Sequence, residues 1–371
     1  MSKRLRKSLV GLSAGLVFFC VQCQHNTTQS EKSPVESKVV AERFVKNPKK
    51  DKSLSLLLSY RLLLNLEPCG CEFRPLGGMP RVWNKIEHWK STLQDHVLWL
   101  IMGPILMPAR LEYDSRNEKQ YVLRRKHVAQ ALQALKASLL ASTRAELVWG
   151  VAGADTRKGV ARVRDFARRA GIVPLSTNLV STSKSQFLFN PAAWVDGHRV
   201  LLFHLSEAAQ EDGYRNMPGV KVLPNEEALR RAMAQNGKQI EKFQPLIAVS
   251  GAFDPVVRVG LQKAFPGVHV WIGGEPQDTL SHVKKMGDSS FQVTLLDRGR
   301  SMGRVDFTWP DASWRGKLHT SDSGHPDAWS MEVRGEAPAL DDQWERPANP
   351  MHDLIQSYKS ALRSEALKEA E

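Results

Sequence analysis

From Ser53 onward, short apolar runs alternate with amphipathic ones, and this alternation restricts the chain to an α/β architecture. "LSLLLSYRLLLNL" is dense enough in leucine to be a buried strand, although leucine alone does not exclude a helix. "PRVWNKIEHWKSTL" follows, with Val82, Ile86 and Trp89 at helical spacing and Pro80 suited to a first helical turn. "HVLWLIMGPILMP" reads as a second buried strand, "KHVAQALQALKASLLAST" as an alanine-rich amphipathic helix, and "AELVWGVAG" as a strand running into a glycine loop. In "VARVRDFARRAG", Val160, Val163, Phe166, Ala167 and Ala170 share a helix face and Gly171 marks the stop, before a short strand, "IVPLSTNLV".

The second half is less uniform. "AAWVDGHRVLLFHL" predicts a hairpin whose Asp196 and Gly197 form a two-residue turn, so the sheets are mixed and not purely parallel. "NEEALRRAMAQNGKQIEKF" reads as one surface helix, and "QPLIAVSGAF" and "GVHVWIGGEPQ" as strands ending in loops. "SFQVTLLDRGRSMGRVDFTW" reads as a terminal hairpin, and a final helix carries Leu354, Tyr358 and Leu362 for docking on the domain.

At the N-terminus, Lys3, Arg4, Arg6 and Lys7 precede an apolar run from Leu9 to Val21. That run is shorter than the ~20 residues a membrane span needs and is followed at once by polar residues, the pattern of an export signal. Cys20 and Cys23 close it where bacterial lipoproteins carry their acylated cysteine, although Gln22 replaces the usual small residue before Cys23. The predicted organisation is a lipoprotein-type signal over 1–23, a polar tether over 24–52, a globular domain over 53–320, and a polar linker with a C-terminal helix over 321–371. An acylated Cys23 would anchor the protein by lipid with its domain outside the cytoplasm, the alternatives being plain secretion, an uncleaved anchor or a cytoplasmic chain with an apolar N-terminus. Gln24 is not the Asp associated with inner-membrane retention, which favours the outer membrane.

The formal charge is +13, and removing the four signal cations leaves +9 on the mature chain. These cations are spread along the whole length, without a dense arginine block interleaved with aromatics, so nucleic acid is not an expected partner. A basic solvated surface that suits anionic envelope polymers or lipid is the simpler reading.

The domain contains only two cysteines, Cys69 and Cys71, in "LNLEPCGCEFRPLGGMPR". A tight disulfide, a pair of metal thiolates and a redox couple all fit a Cys-x-Cys pair. A thiolate metal site needs about four ligands, and His88 and His96 have no motif spacing toward this pair.

In order along the chain, "NLEPCGC", "PLGGMPR", "RRAGIVPLSTNLV", "WVDGHRVLLFHLSEA", "GVHVWIGGEPQDT" and "LLDRGRSMGRVDF" resemble the landmarks of the calcineurin-like metallophosphoesterases, in their exported 5′-nucleotidase-type branch. The resemblance covers about residues 55 to 309 and implies a four-layer α/β/β/α sandwich with mixed sheets. It also implies a dinuclear metal centre that polarises a phosphoryl group and generates hydroxide from water, held by Asp, His and Asn at strand ends. It makes Cys69 and Cys71 part of an inherited loop beside the first metal motif.

The ligands themselves are absent at nearly every landmark. The Asp-x-His positions fall on Arg61 and Leu63, and the Gly-Asp pair on Gly103 and Pro104. The third motif is met by "GVAGADTRKG", which offers Asp155, the lone histidine by Gly251, and the first His of the last motif by Glu275. A unit charge about 4 Å from a dication costs roughly 8 kcal/mol at an effective dielectric near 20, so Arg61 in place of an Asp opposes metal occupancy.

The expectation is therefore a catalytically inactive, metal-free relative whose old site is a basic pocket. Arg61, Arg157 and Lys158 would hold a phosphate-bearing small molecule or envelope component there. Two alternatives stand beside it. One is an active phosphoesterase with a dinuclear metal held by an unorthodox set from Asp155, Asp254, Glu275, Asp278, His269 and His282; the other is an envelope scaffold in which Leu63 and Ile101 close the cleft. No Cys-x-x-Cys-His occurs, so c-type haem has no attachment site.

Overall fold

The computed structural model describes residues 53–62, 66, 78–92, 96–106, 118–142, 147, 156–195, 199–206, 219–251, 254–273, 282–286, 290–295, 302–308 and 349–370. The chain divides into two units, Met1–Lys32 and Ser33–Glu371, and every described residue lies in the second. The signal, with Cys20 and Cys23, and the whole of the tether lie outside the described residues, as do Leu63, Cys69, Cys71, Asp155, Glu275 and Asp278.

Strand β1 (Ser53–Tyr60) shows how the first sheet is buried on both faces. Leu54, Leu56, Leu58 and Tyr60 enter one apolar cluster, whereas Leu57 joins another on the opposite face, as the two-residue period of a strand requires. β1 is flanked by β13 (Gly303–Thr308), antiparallel, and β2 (His96–Met102), parallel. The parallel run continues through β3 (Leu139–Ala141) and β4 (Val173–Leu175). On the outer face lie α1 (Met79–Thr92), α2 (Glu118–Ala134), α3 (Thr156–Ala170) and the C-terminal α7 (Pro350–Ala370).

The second sheet has the order β11–β12–β10–β9–β7–β6. β7 (Val200–Leu205), β9 (Leu246–Gly251), β10 (Val270–Gly273) and β12 (Ser290–Thr294) run parallel, and β6 (Ala193–Val195) and β11 (His282–Met286) close the edges antiparallel. α4 (Asn225–Gln235), α5 (Gly237–Phe243) and α6 (Pro255–Ala264) accompany this sheet, and β5 (Leu179–Ser181) pairs with β8 (Val220–Val222) in a small ribbon.

Three apolar clusters define the layers. One joins Leu56 and Leu100 of the first sheet to Leu202, Ala248 and Ile272 of the second, so the sheets pack face to face. A second lies between the first sheet and its helices, and a third between the second sheet and its own helices. The result is the α/β/β/α sandwich with mixed sheets. α7 seals the first helical layer: Met351, Ile355 and Tyr358 are buried, Leu354 and Leu362 pack beside them, and Arg124 Nε donates to Tyr358 Oη at 3.0 Å.

Several local expectations change. α2 stops at Ala134, and Leu139–Ala141, expected inside that helix, is strand β3. Of "AELVWGVAG", expected as that strand, only Leu147 is among the described residues, and its backbone is helical. The stop is a left-handed cap at Lys136 (φ 56°), with Ala137 N–H donating to Leu132 O at 3.0 Å, the bonding of a Schellman motif without its usual glycine. "SFQVT…VDFT" is not a hairpin, because β12 belongs to the second sheet and β13 to the first. The chain crosses between sheets where Leu295 packs on Gly303; a Cβ there would lie 2.6 Å from Leu295 Cδ2. β6 and β7 do form a hairpin, but the last pair is Val195 with Val200, so four residues connect them and not two. The long surface helix is broken into α4 and α5 at Asn236, whose Oδ1 accepts from Trp194 Nε1 at 2.9 Å.

Candidate functional site

Parallel strands place their carboxyl ends on one edge, and in this sandwich the two sheets bring those edges together. Ser206, after β7, donates from Oγ to Ser142 O, after β3, at 3.3 Å. Asn178, after β4, is wholly buried; its Nδ2 donates to Ser206 O at 2.8 Å, and its Oδ1 accepts from Ser206 N at 2.9 Å. Thr177 makes a matching link, its N–H donating to His204 O at 2.7 Å and its Oγ1 accepting from His204 N at 3.0 Å.

On the first sheet, Arg61 continues the β1 pairing by donating its N–H to Met102 O at 2.7 Å. Its φ of 48° turns the chain into the left-handed region, uncommon for a residue with a Cβ. Gly103 follows β2 at φ 76°, and a Cβ there would meet Arg61 Cγ at 2.9 Å. Only a glycine therefore lets the arginine stem lie across the end of β2. Arg61 Nε is buried and has no hydrogen-bond partner. Arg61 and Gly103 are thus neighbours, and Pro104, next to Gly103, is buried.

The other site residues are dispersed. Arg157 and Lys158 are exposed on the first turn of α3, on the carboxyl side of β3. β3 is two strands from β1, about 10 Å away at the usual strand spacing, so only long side chains can span the gap. Gly251 ends β9 and is buried. The corrected β3 puts Ser142 at that strand's carboxyl end, whereas Asp155 directly precedes α3 and lies outside the described residues. Ile101 packs toward the helices of its own sheet and not into the space between sheets, which removes it as a plug for the cleft.

The histidine and aspartate candidates separate in the same way. His269 precedes β10 at the amino end, the edge opposite the site; its Nδ1 accepts from Ile247 N at 3.0 Å, and burial depresses its pKa to about 4. Asp254 is the N-cap of α6, accepting from Val256 N at 2.8 Å. His282, on the outermost strand β11, pairs through its backbone with Thr294 of β12. Among the described residues, no group of three or more His, Cys, Asp or Glu is placed to hold a metal ion. The described landmark positions supply a guanidinium, two glycines and a proline, which does not fit a pair of divalent cations needing hard oxygen and nitrogen donors.

The sequence reading missed the polar layer beneath this edge. His204 is 2% exposed and points with Val200 and Leu202 into the space between the sheets. Ser250 Oγ donates to Phe203 O at 3.1 Å, so the 3.0 Å contact between Ser250 Oγ and His204 Nδ1 is donated by the ring. That tautomer leaves Nε2 an acceptor, buried without a partner, as are Ser142 Oγ and Ser176 Oγ. Burial drives the His204 pKa down to about 3, against the stabilising bond to Ser250. The available signal was the polar break "STN" in an apolar strand and a histidine inside "VLLFHL".

No protein-family profile matches the sequence, and no curated protein matches it. Solved structures do. A 5′-nucleotidase precursor from Thermus thermophilus superposes with a TM-score of 0.60 at 18% identity, over 84% of this chain and 59% of that one. The sulfate thiohydrolase SoxB of the same organism gives 0.60 at 13% identity, over 84% and 61%. Bacillus subtilis YfkN, a calcineurin-like phosphoesterase, gives 0.56 at 12% identity, over 83% and 97%. The chain therefore spans about three fifths of the length of the first two.

Proposed function

From the calcineurin-like phosphoesterase fold, of the kind seen in 5′-nucleotidases, we propose an exported, lipid-anchored protein that keeps the sandwich, does not hydrolyse phosphoesters, and holds a phosphate-bearing ligand at the old metal site. One observation carries this reading: at the carboxyl end of β1, where the fold relatives' first metal motif would stand, Arg61 presents a buried Nε with no partner. A phosphate oxygen satisfies such a donor, and an arginine fork matches phosphate geometry. The cation opposes divalent metal at the same place. Arg157 and Lys158 add charge from α3.

Export and anchoring rest on the N-terminal cations, the apolar run and Cys23. Among the described residues, no helix is long and apolar enough to cross a membrane. Cys69 and Cys71 belong in this reading to a loop retained without its metal neighbour.

The test has two parts. Metal content is measured after incubation with manganese, iron, zinc and calcium and exhaustive desalting; below about 0.1 equivalent is expected, and about two equivalents would overturn the reading. Thermal melts are then run with inorganic phosphate, nucleotides and phospholipid headgroups. At least one is expected to raise Tm for the native chain but not for Arg61→Met. No shift with any of them removes the phosphate pocket.

A further inference from the structure

Charge is unevenly distributed between the two helical layers. α2 and α3 lie against each other on the first sheet and together carry ten Lys and Arg against two acids, a net +8 out of +13 for the whole chain. On the second sheet, α4, α5 and α6 together carry only +3. The apolar faces of α2 and α3 are buried through Val128, Leu132, Val163 and Phe166. Lys119, Lys126, Arg164, Arg168 and Arg169 are exposed, as are Arg157 and Lys158.

The pattern on each helix is a stripe. Lys119, Val122 and Lys126 recur at helical spacing along α2, with Val122 51% exposed between the two lysines. Arg157, Ala161, Arg164 and Arg168 do the same along α3. Both acids are satisfied inside the layer: Glu118 by Arg125 at 2.9 Å, and Asp165 by Arg168 at 2.6 Å and Arg169 at 2.7 Å. The hydrogen bond from Arg168 holds the Asp165 carboxyl below its ordinary pKa against the opposing effect of desolvation, with the Arg169 charge assisting, so it remains ionised.

We propose that the α2–α3 face docks on an anionic phospholipid surface, turning the helices of the first sheet toward the bilayer and the second sheet away from it. Cations on a broad surface are attracted additively to acidic headgroups, within a Debye length of the membrane. A single exposed valine between lysines suits the headgroup boundary. Single-stranded nucleic acid is a poorer fit, because the exposed stripes carry no aromatic ring on which a base would stack. The proposal does not depend on the phosphate pocket at Arg61.

The test is co-sedimentation of the full chain with phosphatidylcholine vesicles, with and without about one third phosphatidylglycerol, at about 0.1 and 0.5 M salt. The N-terminal apolar run contributes on both lipids, and the cations beside it, Lys3, Arg4, Arg6 and Lys7, are common to the native and variant chains, so the comparison between variants isolates the α2–α3 face. Phosphatidylglycerol is expected to raise partitioning at least about tenfold at low salt, with the gain lost at high salt. A chain carrying Lys119→Gln, Lys126→Gln, Arg164→Gln and Arg168→Gln should lose that gain. One carrying Lys221→Gln, Lys238→Gln, Lys242→Gln and Lys263→Gln, equal in charge but altered on the other side, should keep it. Acetylation footprinting of the native chain gives a reading independent of variant folding: Lys119 and Lys126 should be protected on the acidic vesicles, and Lys238 and Lys242 should not. Equal loss in both variants, no preference for phosphatidylglycerol, unprotected Lys119 and Lys126, or selective binding of duplex DNA in place of vesicles would each overturn the proposal.

Discussion

Acid should destabilise this protein through two buried histidines, and the size of the effect follows from their surroundings. Burial holds His204 at a pKa of about 3 and His269 at about 4, against about 6.5 for a histidine in an unfolded chain. The sign is that of a depressed pKa: stability is fully present above about pH 6.5 and is lost as pH falls toward 4 and 3, because the unfolded chain binds protons that the native one refuses. Between pH 8 and pH 5 each histidine should cost about 2 kcal/mol, or about 4 kcal/mol together. With a urea slope of about 3 kcal/mol per molar, the midpoint moves down by roughly 1 M.

The assay is urea unfolding at pH 8, 6 and 5 for the native chain and for His204→Asn with His269→Asn. Asparagine keeps a donor toward Ser250 Oγ in the first case and an acceptor for Ile247 N in the second, while removing the titration. The variant is less stable at pH 8, since part of each side chain is lost. Its slope with pH should nevertheless flatten by about 4 kcal/mol across the interval, other titrating groups being common to both chains. Parallel curves for the two chains would refute the reasoning.

Four further outcomes follow from particular contacts. Gly159→Ala places a Cβ 2.0 Å from Leu147 O and 2.8 Å from Leu147 C, a backbone clash that should cost more than about 3 kcal/mol in urea unfolding or prevent folding. Tyr358→Phe removes the acceptor of Arg124 Nε and should cost about 1 kcal/mol, read by thermal melt, and Asn349→Ala, which frees Met351 N and Pro80 O at the start of α7, about 1–2 kcal/mol. Arg61→Met eliminates a buried donor without a partner and should leave phosphate-free stability unchanged or raise it by about 1 kcal/mol, measured by urea midpoint.

The candidate site was legible where one strand end could be located from local pattern. The ends of β1 and β2 were legible because both are long apolar runs, and the structure makes Arg61 and Gly103, which follow them, neighbours. The end of β3 was misplaced because a three-residue strand gives almost no periodicity; the structure puts Ser142 directly after that strand. The polar layer around His204 was invisible for a different reason: Ser206 and Ser142 are 64 residues apart, and Asn178 and Ser206 are 28 apart.

By itself, the sequence determined the α/β alternation and the buried faces of α1 and α3, since side-chain period is a property of consecutive residues. The ends of α2 and α3 mark the boundary of that information. Both close with a left-handed residue and a bond back five positions, yet Gly171 announces its stop and Lys136 does not, because only glycine is favoured there by its own chemistry. Tertiary structure alone decided that β12 and β13 part into separate sheets and that the carboxyl ends of β3, β4 and β7 meet around buried polar groups. Those choices are settled by which distant surfaces exclude water from one another, and no local pattern encodes that.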